Sequence, residues 1–373
     1  MLFSKRKMVL TRLFRKPLSI TLIILTLFFS IFSLSARAQT TQSLYLNRVG
    51  FIDIEVGYDV HVVGDYAYVT NNDGLMIIDI QNPQNPQKVG EILSGGSLGF
   101  VVENDIAFIT SVTNGFLISN ISNPSSPQPI GQDSTGGAIR IAVSDSIACL
   151  TYLGGGFKVF NISDLSNPAF LGEFSDTRSD AIKIKDNIAY FANAEVGLKV
   201  VDISNPSTPL LITTVSQTGG ANDIHITNDT LYLGCWGAGI RVIDISNPTT
   251  PQLLDSYDDN DGGEELGVKE KDDLLYVADN SGVELFDVSN PSSIIKIAER
   301  TVDIMAAHDL DVDEEYVYVA QGGGLIILEV STTPEIEPWF IFTIIVIMSV
   351  AAVGSCIAYF KIIKPRRAKK EKI

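Results

Sequence analysis

Seven times between Tyr66 and Val330 the chain sets down the same order of apolar and polar positions. A four-residue run such as Tyr66-Ala67-Tyr68-Val69 leads to a turn with a glycine, then to a second run such as Leu75-Met76-Ile77-Ile78-Asp79-Ile80, then to a polar Asn-Pro step. The first runs recur at Ile106-Ala107-Phe108-Ile109, Ile147-Ala148-Cys149-Leu150, Ile188-Ala189-Tyr190-Phe191, Thr230-Leu231-Tyr232-Leu233, Leu274-Leu275-Tyr276-Val277 and Tyr316-Val317-Tyr318-Val319. They are β-branched and aromatic and apolar at consecutive positions, which predicts strands covered on both faces. No 3.6-residue periodicity runs through the repeats. The Asn-Pro step excludes a helix, because proline forces the preceding residue to extended geometry and asparagine can brace a turn with its own side chain.

Asn82-Pro83, Asn123-Pro124, Asn167-Pro168, Asn205-Pro206, Asn247-Pro248 and Asn290-Pro291 are separated by 41, 44, 38, 42 and 43 residues, and Ser331-Thr332 marks a degenerate seventh copy. A period near 42 is that of a four-stranded blade, so the expected fold is an all-β, seven-bladed β-propeller. The seventh copy stops at Val330 without an outer strand, while Tyr45-Leu46-Asn47-Arg48-Val49-Gly50 matches the outer-strand segment that ends at Val89-Gly90. Residues near Tyr45 to Ile54 are therefore expected to pair with Gly324 to Val330 and close the ring.

Leu75-Met76-Ile77-Ile78-Asp79-Ile80, Leu198-Lys199-Val200-Val201-Asp202-Ile203 and Ile240-Arg241-Val242-Ile243-Asp244-Ile245, each leading to Asn-Pro-x-x-Pro, resemble the LVIVD repeat family of surface β-propellers. The likeness spans roughly residues 45 to 333. It implies architecture and brings no catalytic residues with it. Asn161 and Asn120 stand where other copies have Asp79, Asp202, Asp244 and Asp287, and Glu329 in the last, so the position needs a hydrogen-bond acceptor more than a charge.

The two ends predict where the domain lives. Lys5, Arg6, Lys7, Arg12, Arg15 and Lys16 precede an apolar stretch from Leu18 to Leu34 and the small-x-small sequence Ala36-Arg37-Ala38, so residues 1–38 read as a signal peptide, with an uncleaved anchor as the alternative. After the propeller (39–333) and a short linker (334–338), residues 339–360 carry no charge and are long enough to cross about 30 Å of hydrocarbon as a transmembrane helix. The basic tail 361–373 predicts a single-pass membrane protein with the propeller extracellular and the tail cytoplasmic. A sorting tag around Pro334-Glu335-Ile336-Glu337-Pro338, cut by a transpeptidase-like enzyme, remains open. Membrane lipid is a partner through the C-terminal helix.

Charge changes the picture of partners. Between residues 39 and 360, 13 Lys plus Arg face 43 Asp plus Glu, a formal charge of −30. Phosphate backbones are repelled, so nucleic acid is excluded as a partner, and an extracellular protein, glycan or cation is expected. Cys149 sits at a core position, Cys235 in a turn two blades away and Cys356 in the expected span, so three free thiols are predicted.

Features shared by every blade are architecture, so candidate chemistry is sought where blades differ. On the residues leading into the innermost strands these are Asp59, Arg140, Asp180, Asp223, His308 and Asp309, with Tyr152 and Trp236 on the turns between second and third strands. His61 and His225, in Val-His-Val and Ile-His-Ile alternation, read as ordinary strand residues. The insertion Asp255 to Glu265 offers Asp258, Asp259, Asp261 and Glu264 to a hard cation such as calcium, although the twelve-residue calcium-loop spacing is not met. No other cofactor is expected. Asn120, Asn161 and Asn228 lie in glycosylation sequons. Three readings stand: a membrane-anchored binding or scaffold module; an extracellular lyase or hydrolase using Asp59, Asp223, His308 and Asp309 as acid and base groups; and a sensor acting through a partner of its short tail.

Overall fold

The computed structural model describes residues 43–334, apart from 178–179, 194, 217–219, 259–264 and 302. Within them 28 strands form seven four-stranded sheets, every pairing antiparallel. Each sheet is a blade; in six of them the first strand in chain order is innermost, and in the seventh it is Ala307–Val312. The seven innermost strands are Val60–Val63, Phe100–Glu103, Ala138–Ser144, Ala181–Lys185, Gly220–Thr227, Glu265–Lys271 and Ala307–Val312, each packed against the next and the last against the first.

Ring closure follows the expected route. Tyr45–Ile52 is the outer strand of the seventh blade and pairs with Gly324–Ser331, from Tyr45 opposite Ser331 to Ile52 opposite Leu325. The second strand of each blade is sealed on both faces, which explains its continuous apolar run. Core clusters form between blades rather than within them: Phe108 and Phe116 of the second blade pack with Leu150 and Phe160 of the third, and Leu285 of the sixth with Ile326 of the seventh. Cys149 stands where other blades put an aromatic ring. Phe157 compensates, with its ring 5.8 Å from that of Phe191 in the next blade. Cys149 and Cys235 are free and buried, and burial pushes the Cys149 thiol far above its ordinary range, so it is chemically inert.

The motif's polar positions are turn braces. The backbone N–H two residues on donates to Asp79, Asn120, Asn161, Asp202, Asp244 and Asp287 at 2.8–3.0 Å, so Asn and Asp serve alike as acceptors. The Asn-Pro turn follows the same rule and corrects the phase of the third repeat. Asn85, Ser126, Thr208, Thr250 and Ser293 donate N–H groups to the carbonyls of Asn82, Asn123, Asn205, Asn247 and Asn290, and in the third blade Asn167 donates to Asp164. Asp164, not Asn167, is therefore the equivalent residue, and the spacings become 41, 41, 41, 42 and 43. Burial against the next blade fixes one more position. A Cβ at Gly50, Gly90, Gly131 or Gly172 would lie 1.8, 2.0, 2.2 or 2.6 Å from the carbonyl oxygen of Pro83, Pro124, Leu165 or Pro206. Each of these outer-strand glycines lets the following blade's turn dock flush, and Gly50 of the closing strand completes the same contact.

Among the described residues no helix is long and apolar enough to cross a membrane. The expected signal segment 1–38, the transmembrane span 339–360, the basic tail and Cys356 lie outside the described residues.

Candidate functional site

Antiparallel order places the turn between second and third strands on the same face as the linker into the next innermost strand. The two touch: in the first blade Ser94 N–H donates to Asp73 O at 3.0 Å, and Ser97 N–H to Asn71 O at 3.3 Å. Both ends of the domain leave on the opposite face, where Asn47 Nδ2 donates to Thr333 O at 2.8 Å. The described residues therefore begin and end away from the channel mouth.

Side chains two residues apart on an innermost strand point the same way about 6.6 Å apart, so the strands build tiers. The upper tier is Asp59, Gly99, Arg140, Ala181, Asp223, Gly267 and Asp309. The lower tier is His61, Val101, Ala142, Lys183, His225, Lys269 and Asp311, each opposite the core residue of its second strand. Together they line a cavity of about 350 Å³.

The upper carboxylates brace the neighbouring blade. Asp59 Oδ2 accepts from Phe100 N at 3.3 Å, Asp223 Oδ2 from Val268 N at 3.0 Å, and Asp309 Oδ2 from Val60 N at 3.0 Å. Glycine makes room for the long residue beside it: a Cβ at Gly267 would lie 2.5 Å from Asp309 Oδ1, and one at Gly99 2.9 Å from Arg140 Cδ. Asp59 and Asp309 stand on adjacent blades, close enough for a bond between their carboxyls to act on Asp309. Burial first, then the Asp59 charge and that bond, hold the Asp309 carboxyl well above the ordinary range. Burial also raises Asp223, opposed by Lys183, by the amides it accepts from and by Arg140.

In the lower tier Asp311 Oδ2 accepts from Val62 N at 2.8 Å and lies 3.1 Å from His61 Nδ1, while its Oδ1 is 2.8 Å from Lys269 Nζ. Burial acts to raise this carboxyl, but the His61 hydrogen bond and the Lys269 charge overcome it and hold it far below the ordinary range. His225, 3.0 Å from Thr227 Oγ1, is pushed down to about 3 by burial and by Lys269 and Lys183.

Of the residues singled out from sequence, Asp59, Arg140, Asp223, His308 and Asp309 come together at the cavity. His308 lies at its rim, with Nδ1 2.7 Å from Gly57 O and its ring stacked on Tyr58. Asp180 stands one residue out of step, because Ala181 holds the tier position in the fourth blade. Tyr152 is not on the turn: it ends the strand Ile147–Tyr152, is 7% exposed, and carries Lys158 Nζ 4.2 Å above its ring beside a separate cleft of about 340 Å³. Trp236 ends the strand Thr230–Trp236 and is 37% exposed. The cavity lining includes His308 but neither Tyr152 nor Trp236.

Asp258 is exposed, and Asp259, Asp261 and Glu264 lie outside the described residues. Asp255 is no part of a loop: it lies in the outer strand Gln252–Tyr257, and its Oδ2 accepts from Ile294 N of the next blade at 2.8 Å. The side-chain oxygens of Asn120 and Asn161 are engaged in their turns, whereas Asn228 lies exposed on a hairpin. Sequence reasoning missed the lower tier: Lys183, Lys269 and Asp311, and the channel position of His61 and His225. Counting two residues on from Asp59, Asp223 and Asp309 would have found three of them.

The closed ring of four-stranded antiparallel blades defines a seven-bladed β-propeller. The LVIVD repeat matches residues 57–93, 95–133, 135–176, 178–217, 218–259, 262–299 and 306–334, more than half of the chain, which belongs to the LVIVD-repeat family. Comparison with curated proteins gives no match. Solved structures share the fold. The β-propeller domain of Myceliophteria thermophila Cps50 (Swd1) aligns with a TM-score of 0.66 at 9% identity, covering 77% of this chain and 100% of that one. The WD40 β-propeller domain of Doa1 gives 0.61 at 11% identity over 77% and 97%. The computationally designed Ika8 protein gives 0.57 at 11% over 76% and 99%.

Proposed function

We propose that this propeller is a binding module displayed outside the cell, anchored through residues 339–360, whose mouth face docks an extracellular protein or glycan. The observation that carries this is the set of exposed apolar side chains around the channel mouth. The mouth face exposes Leu93, Leu153, Trp236 and Met305, each on a different blade. The opposite end exposes Val63, Phe170, Leu210, Leu253 and Ile295, of which the last four lie at the start of outer strands at the rim, away from the channel. Apolar side chains around a concave opening gain binding energy when a partner removes them from water, and Trp gains most. The acid–base reading is weakened because Asp59, Asp223 and Asp309 are each committed to a backbone amide of the adjacent blade and His308 to Gly57 O.

The test is to probe glycan and protein arrays with the chain, with and without calcium, and then with Trp236→Ala. The substitution should weaken binding by about 1–3 kcal/mol and leave the melting temperature almost unchanged, because the ring is outside the blade core. Turnover that disappears in Asp223→Asn or Asp309→Asn, alongside normal binding by Trp236→Ala, would replace this reading with an enzyme. The anchoring has its own check. Protease added to intact cells should digest the repeats and spare a tag placed after Ile373, and the reverse pattern overturns the orientation.

A further inference from the structure

Among the described residues, two cations inside the channel have no hydrogen-bonded or ion-paired acceptor. The Arg140 guanidinium makes no hydrogen bond to any described residue, and its Nη1 is enclosed. Lys183, one blade on and one tier deeper, lines the same cavity, and no described carboxylate lies within ion-pair range of it. Other lysines behave differently: Lys185, Lys199, Lys269, Lys271 and Lys296 each touch a carboxylate. In a segment with 43 acidic residues against 13 basic ones, shortage of partners does not explain the two exceptions.

The space beside them is real. Ala142 and Ala181 are small lining members of the tiers on this side, and the cavity of about 350 Å³ falls in the range of small-ligand sites, roughly 300–1,000 Å³. Burial first, then the charges of Lys269 and Lys183, push His225 down against the pull of Asp311, so both lysine charges are felt inside the channel. Across the channel, burial and the Asp59 charge hold the Asp309 carboxyl well above the ordinary range, while Asp223, one blade on from Lys183, feels the charges of both cations. A guanidinium with free donors is shaped for two parallel hydrogen bonds to a planar or tetrahedral oxyanion, and an ammonium adds a point charge.

The geometry points to a small-oxyanion site within the channel: a carboxylate or phosphate group of a small molecule, held between Arg140 and Lys183. The site is internal and does not depend on what docks at the mouth face.

Titration calorimetry on the full chain in detergent, at constant ionic strength, tests this with inorganic phosphate and with succinate. At least one of the two should bind with one site per chain, and which one does so separates phosphate from carboxylate ligands. Arg140→Gln and Lys183→Gln should each weaken binding by about tenfold or more, and Lys183→Arg should retain it. Lys158→Gln, which removes a cation outside the channel, should bind as the wild type does. Arg140→Gln takes away an enclosed nitrogen without an acceptor, so the unliganded variant should melt no lower than the wild type, which keeps lost binding distinct from lost fold. Binding of neither probe to the wild type overturns the site, as does binding that survives the double Gln variant. Mouth-face docking that fails on the arrays while these titrations succeed removes the proposed function and leaves this site standing.

Discussion

Replacing Tyr45–Ile52 by a glycine-serine segment of equal length should lower the melting temperature by about 12 °C or more and make the protein prone to aggregate. The strand supplies Leu46, which is 3% exposed in the cluster that joins the sixth and seventh blades, and its carbonyl accepts from Arg300 Nη1 at 2.8 Å. Loss of a buried leucine alone costs about 3 kcal/mol. The lost ladder to Gly324–Ser331 and the Gly50 contact with Pro83 bring the total to about 6 kcal/mol or more. For a domain of this size each kcal/mol is worth about 2 °C. The substitution also uncovers the edge Leu325-Ile326-Ile327-Leu328, every residue of which is fully buried in the closed ring. An unpaired, flat, apolar edge is a template for another chain. Tyr45→Ser, at the half-exposed start of the same strand, should change little. Melting within a few degrees of wild type after the whole replacement would show that the ring does not depend on this closure.

The fold was legible because a repeat constrains itself: an outer strand absent from the last copy and present before the first has one place to go. Its phase was less legible. The dipeptide Asn-Pro occurs at two places in the motif, as Asn82-Pro83 and Asn85-Pro86, and in the third blade the first of these is Asp164-Leu165, so matching letters slid the register by three residues. The hydrogen bond accepted by the Asp164 carbonyl resolves what the letters could not. At the channel, the upper carboxylates stood out because the other blades have Gly, Ala or Arg there. His61, Lys183, His225 and Lys269 did not, because a polar residue alternating with Val or Ile is the ordinary signature of a half-solvated strand. Whether that face meets bulk water or a narrow channel is set by ring closure, a property of all seven blades at once. Tyr152 shows the same limit: strand pairing extends one residue past the expected turn and tucks the ring under Lys158.

Acid should destabilise the ring, and His225 should be a main cause. Its folded-state pKa of about 3 lies below the ordinary value of about 6.5, so the unfolded chain binds the proton more readily. The stability that follows is complete above pH about 6.5 and is lost as pH falls toward 3. Between pH 7.5 and 4.5 the full shift would remove nearly 3 kcal/mol, and water in the channel reduces this to about 2 kcal/mol. The groups facing the ring agree with the sign: Lys183 and Lys269 oppose protonation, and Asp311, which favours it, is already held by His61 and Lys269. Asp309 and Asp223 act the other way, because raised carboxyls contribute stability at low pH and lose it as pH rises through their folded values. A single pH profile therefore mixes both signs, and comparison with His225→Gln isolates one. Chemical denaturation should show the variant somewhat less stable than wild type at pH 7.5 and the gap closing or reversing by about 2 kcal/mol at pH 4.5. A gap of equal size at both values would mean that His225 titrates in the channel as it does in water, and that the lower tier is open to solvent rather than held in the field of its two lysines.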